Sequence, residues 1–157
     1  GIMIMLFRPF KVEDFVEAAG VSGFVMEVTL FYTTFITPDN KKIMVPNGTL
    51  MSANVINYSA EPYRRLDLRF SCGRDEDPAK VRDLIMEAVV QNEKVLSDPA
   101  PYVGMIGSTN EALEFEARIW CASEYYWDAH FEVMQGVTEL FQRNAISSPV
   151  MRIRTEE

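Results

Sequence analysis

The first part of the chain is a succession of short β-prone segments. Between Val12 and Ser59, runs of β-branched and aromatic residues are brief and are interrupted by glycine, proline and asparagine, which is typical of a small all-β unit. The pattern predicts a hairpin turn at residues 38–41 and a short helix over residues 48–52 with Asn47 as its cap. It predicts five strands, over residues 15–18, 22–31, 32–37, 42–45 and 54–59.

From residue 64 onward, longer elements are indicated. Alternation of apolar and polar residues predicts strands over residues 64–72 and 112–121, and residues 102–106 can form a further strand. Helical spacing predicts a helix that begins at Asp77 and Pro78 and reaches Val95.

A second helix is predicted over residues 123–143, and a last strand over residues 150–154. The order strand, helix, strand, strand, helix, strand is the ferredoxin-like pattern. The apolar face of the second helix is expected to consist of Trp127, Phe131, Met134, Val137, Thr138 and Phe141.

Composition excludes some classes of partner. The chain has 157 residues and a formal net charge of −8, which disfavours nucleic acid and anionic lipid as main partners, because both attract clustered Lys and Arg. The longest apolar run, at residues 2–7, is far shorter than the roughly 20 residues that a helix needs to cross a bilayer. We therefore expect a soluble chain, and its apolar start suggests a cut end. Cys72 and Cys121 suit a reducing cytoplasm.

Candidate chemistry is sparse. His130 is the one histidine and has no recognisable nucleophilic partner in the sequence, and Asp75, Glu76 and Asp77 are better explained as helix capping than as an ion site. A carboxylate pair on one strand, Glu114 with Glu116, is expected on a solvated outer face. Phosphate-binding and dinucleotide-binding glycine motifs are absent. The sequence therefore predicts no enzyme, no cofactor and no metal.

Five short motifs carry a family resemblance. The chain resembles the small-conductance mechanosensitive channel (MscS) family, in which an Arg-Pro-Phe step marks the point where the pore-lining helix leaves the membrane. The motifs are Phe7-Arg8-Pro9-Phe10-Lys11-Val12, Gly20-Val21-Ser22-Gly23, Tyr32-Thr33-Thr34, Pro38-Asp39-Asn40-Lys41-Lys42 and Val45-Pro46-Asn47.

The resemblance implies an α+β fold with three parts. Residues 1–10 would be the end of the pore-lining transmembrane helix and the membrane exit. Residues 11–62 would form a small Sm-like five-stranded β-barrel, and residues 63–157 a ferredoxin-like α/β domain. The transmembrane sensor would be missing from this chain.

The resemblance also implies a function. Seven copies would enclose a cytoplasmic vestibule at the inner membrane, and tension would release ions and small osmolytes during hypoosmotic shock. Partners would be further copies of the chain and, through the missing transmembrane part, membrane lipid. No nucleic acid partner is expected. An alternative is a soluble Sm-like and ferredoxin-like binding module that forms a ring.

Two sets of residues are candidates for roles in such a channel. Arg8 and Lys11 are placed at the headgroup region, where anionic lipids attract cations. The full membrane-boundary set is Phe7, Arg8, Pro9, Phe10 and Lys11. The candidates for the junction of the domains, where the family has side portals, are Asn57, Arg64 and Arg65.

Overall fold

The computed structural model describes residues 9–151, which form two compact units divided between Pro62 and Tyr63. In the first unit, five antiparallel strands form one sheet in the order β4-β3-β2-β1-β5. A one-turn helix connects β4 to β5. The elements are β1 (Phe15–Ala18), β2 (Val21–Val28), β3 (Tyr32–Ile36), β4 (Lys42–Pro46), α1 (Asn47–Met51) and β5 (Val55–Asn57).

The turns of the first unit depend on particular residues. Ala19 and Gly20 connect β1 to β2 with φ of 52° and 77°, the left-handed conformation that tight hairpins require. A Cβ added at Gly23 would lie 2.8 Å from the carbonyl oxygen of Ile36, so glycine permits the close approach of β2 and β3. The predicted strand over residues 22–31 ends early, because the Thr29 hydroxyl accepts the Tyr32 N–H at 3.1 Å and closes a turn.

Asn47 has a different role from the predicted cap. It is the first residue of α1, it is 1% exposed, and its side chain makes no capping bond. Its Oδ1 accepts from the Thr33 hydroxyl at 2.8 Å, and its Nδ2 donates to the Thr29 carbonyl at 2.8 Å. The cap prediction was wrong because the amide finds these buried partners on the sheet. The unit's hydrophobic core consists of Phe10, Val16, Ala18, Val25, Phe35, Val45 and Leu50.

The second unit is a three-stranded antiparallel sheet in the order β6-β8-β7, with two helices. Its elements are β6 (Tyr63–Gly73), α2 (Pro78–Gln91), β7 (Tyr102–Ser108), β8 (Ala112–Ala122), a 3₁₀ turn (Ser123–Tyr125) and α3 (Tyr126–Arg143). The alternation of β6 is confirmed, since its inward residues are buried. They are Leu66, Leu68, Phe70 and Cys72, and they join one core with both helices.

Helix α2 begins as predicted and ends earlier. The Asp77 carboxylate accepts the Ala79 N–H at 3.0 Å, and proline occupies the first turn, where its missing N–H has no cost. The helix ends at Gln91 rather than near Val95, because Asn92 is extended with ψ of 122°. Val95 instead forms a β-bridge with Cys121.

Helix α3 buries only part of the face predicted for it: Val137 is buried and Met134 and Phe141 pack against the core, whereas the two aromatic residues near its start do not. Trp127 and Phe131 are 59% and 63% exposed, although both were assigned to the core. At Gly136 a Cβ would lie 3.7 Å from the Ala88 Cβ on α2, an ordinary van der Waals distance, so this side of α3 contacts α2. The buried residues of α3 are Ala129, Val133, Val137 and Leu140.

After α3 the chain returns to the end of β6. The Gly73 N–H donates to the Ser147 carbonyl, and the Ser147 N–H donates to Glu76 Oε1, both at 2.8 Å. This segment, residues 146–148, is called the strap below. A last strand was predicted over residues 150–154, but Val150 and Met151 are not in a strand. Residues 152–154 lie outside the described residues.

Candidate functional site

The membrane-boundary candidates lie at the beginning of the described chain. Phe7 and Arg8 fall outside the described residues. Phe10 is 4% exposed, and its ring centroid lies 6.3 Å from that of Phe35 in the core of the first unit. Pro9 and Lys11 are exposed. The aromatic residue of the Arg-Pro-Phe motif is therefore a core residue of the β unit.

Asp14 holds this segment in place. Its carboxylate is buried, and Oδ2 accepts from the Lys11 N–H at 3.0 Å and from Asn57 Nδ2 at 2.9 Å. Asn57 Nδ2 also lies 3.2 Å from the Pro9 carbonyl oxygen, to which it donates. We call Pro9, Phe10, Lys11, Asp14 and Asn57 the Asp14 cluster. The structure thus brings Asn57, predicted for the domain junction, into contact with the membrane-boundary candidates.

The backbone around Asp14 is fixed as well. Its carbonyl accepts the Val25 N–H at 2.9 Å, and the Glu13 N–H donates to the Val25 carbonyl at 2.7 Å. Glu13 has φ of 81°, a left-handed conformation that reverses the chain before β1. The sequence did not single out Asp14, because Asn57, its side-chain partner, is 43 residues away.

Arg64 and Arg65 make their described contacts in the second unit. The guanidinium of Arg65 donates to both carboxylate oxygens of Asp67, at 2.9 and 3.0 Å. The guanidinium carbon of Arg64 lies 3.7 Å from the centroid of the Tyr126 ring, which is cation–π geometry. Asn57 therefore joins the Asp14 cluster, while the two arginines are bound to β6 and α3 residues.

The outer face of the second sheet carries an ion-pair cluster that the sequence did not indicate. Glu116 is 8% exposed, although it was expected on a solvated face. Its two oxygens lie 3.6 Å from Arg69 Nε and 2.9 Å from Arg118 Nε. The β6–β8 register places Arg69 directly opposite Glu116, and that register is not visible in the sequence.

The remaining candidates for chemistry are structural in character. Burial raises the pKa of the Cys72 and Cys121 thiols, which disfavours the reactive thiolate. His130 packs beside the rings of Trp127 and Phe131, each 5.5 Å away by centroid. Within residues 9–151 no group of His, Cys, Asp or Glu side chains is arranged to hold a metal ion.

Over the same range, none of the helices has both the length and the apolar character of a membrane span.

Comparison with models of known protein families decides which family the chain belongs to. The β-domain model of mechanosensitive ion channels matches residues 1–60, and the model for the C-terminal part of the mechanosensitive ion channel MscS matches residues 66–148, more than half of the chain. This chain belongs to the MscS family. The expected resemblance is confirmed.

Curated MscS relatives extend the similarity along the chain. The small-conductance mechanosensitive channel of Edwardsiella ictaluri is 34% identical over 149 residues, which is 95% of this chain and 52% of the relative. An uncharacterized MscS family protein of Synechocystis is 31% identical over 95% of this chain and 50% of its own length. The chain therefore spans about half the length of the curated relatives it matches.

Solved structures of MscS-type channels share the fold. The crystal structure of Helicobacter pylori MscS in its closed state aligns with a TM-score of 0.92 and 22% identity, covering 99% of this chain and 62% of that one. Wild-type MSL1 of Arabidopsis thaliana aligns with a TM-score of 0.81 and 21% identity, covering 96% of this chain and 54% of that one. The mixed α+β architecture, with antiparallel sheets, is that of MscS-type channels.

Proposed function

We propose that this chain is the cytoplasmic vestibule region of a mechanosensitive ion channel of the MscS type. In the complete channel, membrane tension would open a pore above the vestibule and release ions and small osmolytes during hypoosmotic shock. The channel would reside in the inner membrane, with this region in the cytoplasm. Its task would be transport rather than catalysis.

The Asp14 cluster is the observation that carries the proposal. A segment that leaves a pore-lining helix needs a fixed attachment, so that movement of the helix reaches the vestibule. Phe10 in the core, with Lys11 and Pro9 held by Asp14 and Asn57, supplies such an attachment. We propose that residues 1–10 are the membrane exit, with Phe7 and Arg8 on the membrane side.

We further propose an Sm-like barrel for residues 11–62 and a ferredoxin-like domain for residues 63–157. The meander order β4-β3-β2-β1-β5 supports the first assignment, and the order β6-β8-β7 with two helices supports the second. A ferredoxin-like fold would place a fourth strand beside β6. The bond from the Gly73 N–H to the Ser147 carbonyl shows the strap reaching that edge.

Assembly completes the proposal. Seven copies would form the vestibule, with lipid bound by the membrane-spanning part of the channel. Side portals would lie near the junction of the two domains, where Asn57, Arg64 and Arg65 fall in the sequence. Arg65 would act there as half of an ion pair with Asp67 rather than as a free cation.

A chimera tests the function. This chain would replace the corresponding region of the Edwardsiella ictaluri channel, in bacteria that lack their own mechanosensitive channels. We expect survival of osmotic downshock and tension-gated currents in membrane patches. A chimera that reaches the membrane in normal amount but neither conducts nor protects would refute the proposal. The same chimera with Lys42→Ala, an exposed residue of β4, is the control for substitution as such.

A further inference from the structure

The outer face of the second sheet carries a small open pocket. The β6–β8 register places Ser71 directly opposite Glu114, and the β7–β8 register places Gly107 on the other side of Glu114. Because Gly107 has no side chain, this row of the sheet is left open at β7. We call the space the β8 pocket; it has a volume of about 170 Å³ and is lined by Arg69, Phe70, Ser71, Ile106 and Glu114.

Glu114 forms the acidic side of the β8 pocket. Its side chain is exposed, and its Oε2 lies over Gly107, where an added Cβ would be 2.9 Å from that oxygen. None of the ion pairs between described residues includes Glu114. Its carboxylate oxygens can therefore accept hydrogen bonds from a ligand.

Arg69 forms the basic side. Its side chain is 77% exposed, and its Nε lies 3.6 Å from Glu116, which is longer than an ordinary hydrogen bond. Arg118 donates from Nε to Glu116 Oε2 at 2.9 Å, so the buried carboxylate has a closer partner than Arg69. The terminal N–H groups of Arg69 can therefore donate to the carboxylate of a ligand.

The charges on this face of the sheet are balanced. Arg69 and Arg118 are matched in number by Glu114 and Glu116, so the face favours neither a net anion nor a net cation. Arg69 and Glu114 are diagonal neighbours on β6 and β8, a relation that typically separates Cα atoms by about 7–8 Å and lets long side chains reach one another. A small ligand that carries a positive and a negative group close together fits between them.

We propose that the β8 pocket binds the zwitterionic head of a free α-amino acid. The Arg69 guanidinium would donate to its carboxylate, and Glu114 and the Ser71 hydroxyl would accept from its ammonium. Ile106, which is 44% exposed, would contact its aliphatic carbons. The pocket lies within one unit of a single copy, so the inference goes beyond the channel function and depends on neither assembly nor a pore.

The lining favours a primary ammonium over a quaternary one. A quaternary ammonium has no N–H to donate and is recognised by the faces of aromatic rings. Phe70 is the one aromatic residue of the lining, and its side chain belongs to the buried core. The polar groups that the pocket presents are a carboxylate, a hydroxyl and a guanidinium, which all make hydrogen bonds. The ligand class is therefore a free amino acid rather than a trimethylated zwitterion.

An NMR titration of the amides in the full 157-residue chain tests binding, with L-alanine as the probe. We expect saturable shifts at the amides of Ser71, Gly107 and Glu114, and none at Val25 in the first unit. Propionate lacks the ammonium and ethylamine lacks the carboxylate, so each should bind at least about fivefold more weakly. Trimethylglycine, which has no N–H, should also bind more weakly than L-alanine.

Variants of the lining assign the contacts. We expect Arg69→Gln and Glu114→Gln each to weaken L-alanine binding by about fivefold. Arg74→Gln and Glu111→Gln remove the same charges at exposed positions in the turns that flank β6 and β8, and they should leave binding unchanged. Gly107→Ala keeps every charge but forces the Glu114 carboxylate to move, so it should also weaken binding. The amide spectrum of each variant shows whether it is folded.

Several results would overturn the proposal. They are the absence of a saturable shift with L-alanine, equal binding of propionate or ethylamine, and unchanged binding in the folded Arg69→Gln and Glu114→Gln variants. Trimethylglycine binding as tightly as L-alanine would show that the pocket recognises charge alone and would overturn the assignment to amino acids. None of these results decides the channel function, which the chimera tests separately.

Discussion

At the residue scale, Asp14 joins groups that are distant in the sequence. Its carboxylate accepts from the Lys11 N–H and from the Asn57 side chain, and it is 7% exposed. Asp14→Ala leaves both donors without this acceptor, so we expect a loss of about 1–3 kcal/mol in the free energy of unfolding of the first unit. Urea unfolding, followed by the NMR signals of amides in β1 and β2, measures it.

The matched variant is Asp14→Asn, which keeps one acceptor oxygen. Its free energy of unfolding should therefore fall by less than that of Asp14→Ala. Amide exchange at Lys11 adds a local measurement, since its N–H should exchange faster in Asp14→Ala than in Asp14→Asn. Equal stability of both variants and the unchanged protein would show that Asp14 does not hold the segment.

A second residue-scale prediction concerns Glu116, a buried carboxylate between two exposed arginines. Removing an arginine leaves a buried charge with less compensation, whereas removing the carboxylate leaves arginines that water can solvate. We expect Arg118→Met to lower the free energy of unfolding of the second unit by about 1–2 kcal/mol. Glu116→Gln, whose amide oxygen still accepts a hydrogen bond, should lower it by less than about 1 kcal/mol. Trp120 and Trp127 are both in the second unit, so their fluorescence during urea unfolding reports this difference. The reverse ranking would contradict the argument.

At the element scale, the sequence predicted the kind and order of elements well and their contacts poorly. Alternation in β6 and spacing in α2 are local signals, and both are confirmed by the buried residues of those elements. The exposed face of α3 was missed because Trp127 and Phe131 have the hydrophobicity of core residues. Burial there follows the side of α3 that contacts α2, as at Gly136 beside Ala88, and this is a contact between positions that are distant in the sequence.

The strap yields a prediction about pH. A hydrogen bond from the Ser147 N–H makes the largest contribution to holding the pKa of the Glu76 carboxyl below its ordinary value. A hydrogen bond from the Ser147 hydroxyl and the charge of Lys80 contribute less. The folded state therefore binds fewer protons at Glu76 than the unfolded state. The stabilisation is complete above the unfolded pKa of about 4.3 and is lost as the pH falls through the folded value. We expect protection of the Ser147 amide to decrease over that interval.

Amide exchange of Ser147 across this pH range measures the effect. Comparison with Val81, whose N–H donates to the Asp77 carbonyl in α2, corrects for general acid destabilisation. Glu76→Gln should remove the additional pH dependence at Ser147 and lower its protection at neutral pH. Identical profiles in the two proteins would mean that Glu76 does not fix the strap.

At the scale of the whole molecule, the chain has two separate cores. The first unit clusters around Phe35 and Val16, and the second around Phe115, Ile85 and Ile119. Pattern and composition led us to expect two small domains, and the family comparison matches the two halves with different models. The sequence alone did not indicate the Asp14 cluster or the ion pairs of Glu116, because both depend on which strand lies beside which.

Because the two units have separate cores, we expect each unit to unfold independently of the other. A unit of about 60 residues buries little surface and is marginally stable, so Phe35→Ala, which typically costs about 3–5 kcal/mol, should unfold most of the first unit. Because both tryptophans lie in the second unit, the midpoint of the fluorescence transition in urea should remain the same, while the NMR amide signals of β1 to β4 collapse. Ile85→Ala is the matched cavity variant in the larger core and should lower the fluorescence midpoint. If Phe35→Ala lowers that midpoint as much as Ile85→Ala does, the two cores unfold as one cooperative unit. In that case a force applied through the segment from Pro9 to Lys11 would be resisted by the whole chain rather than by the β unit first.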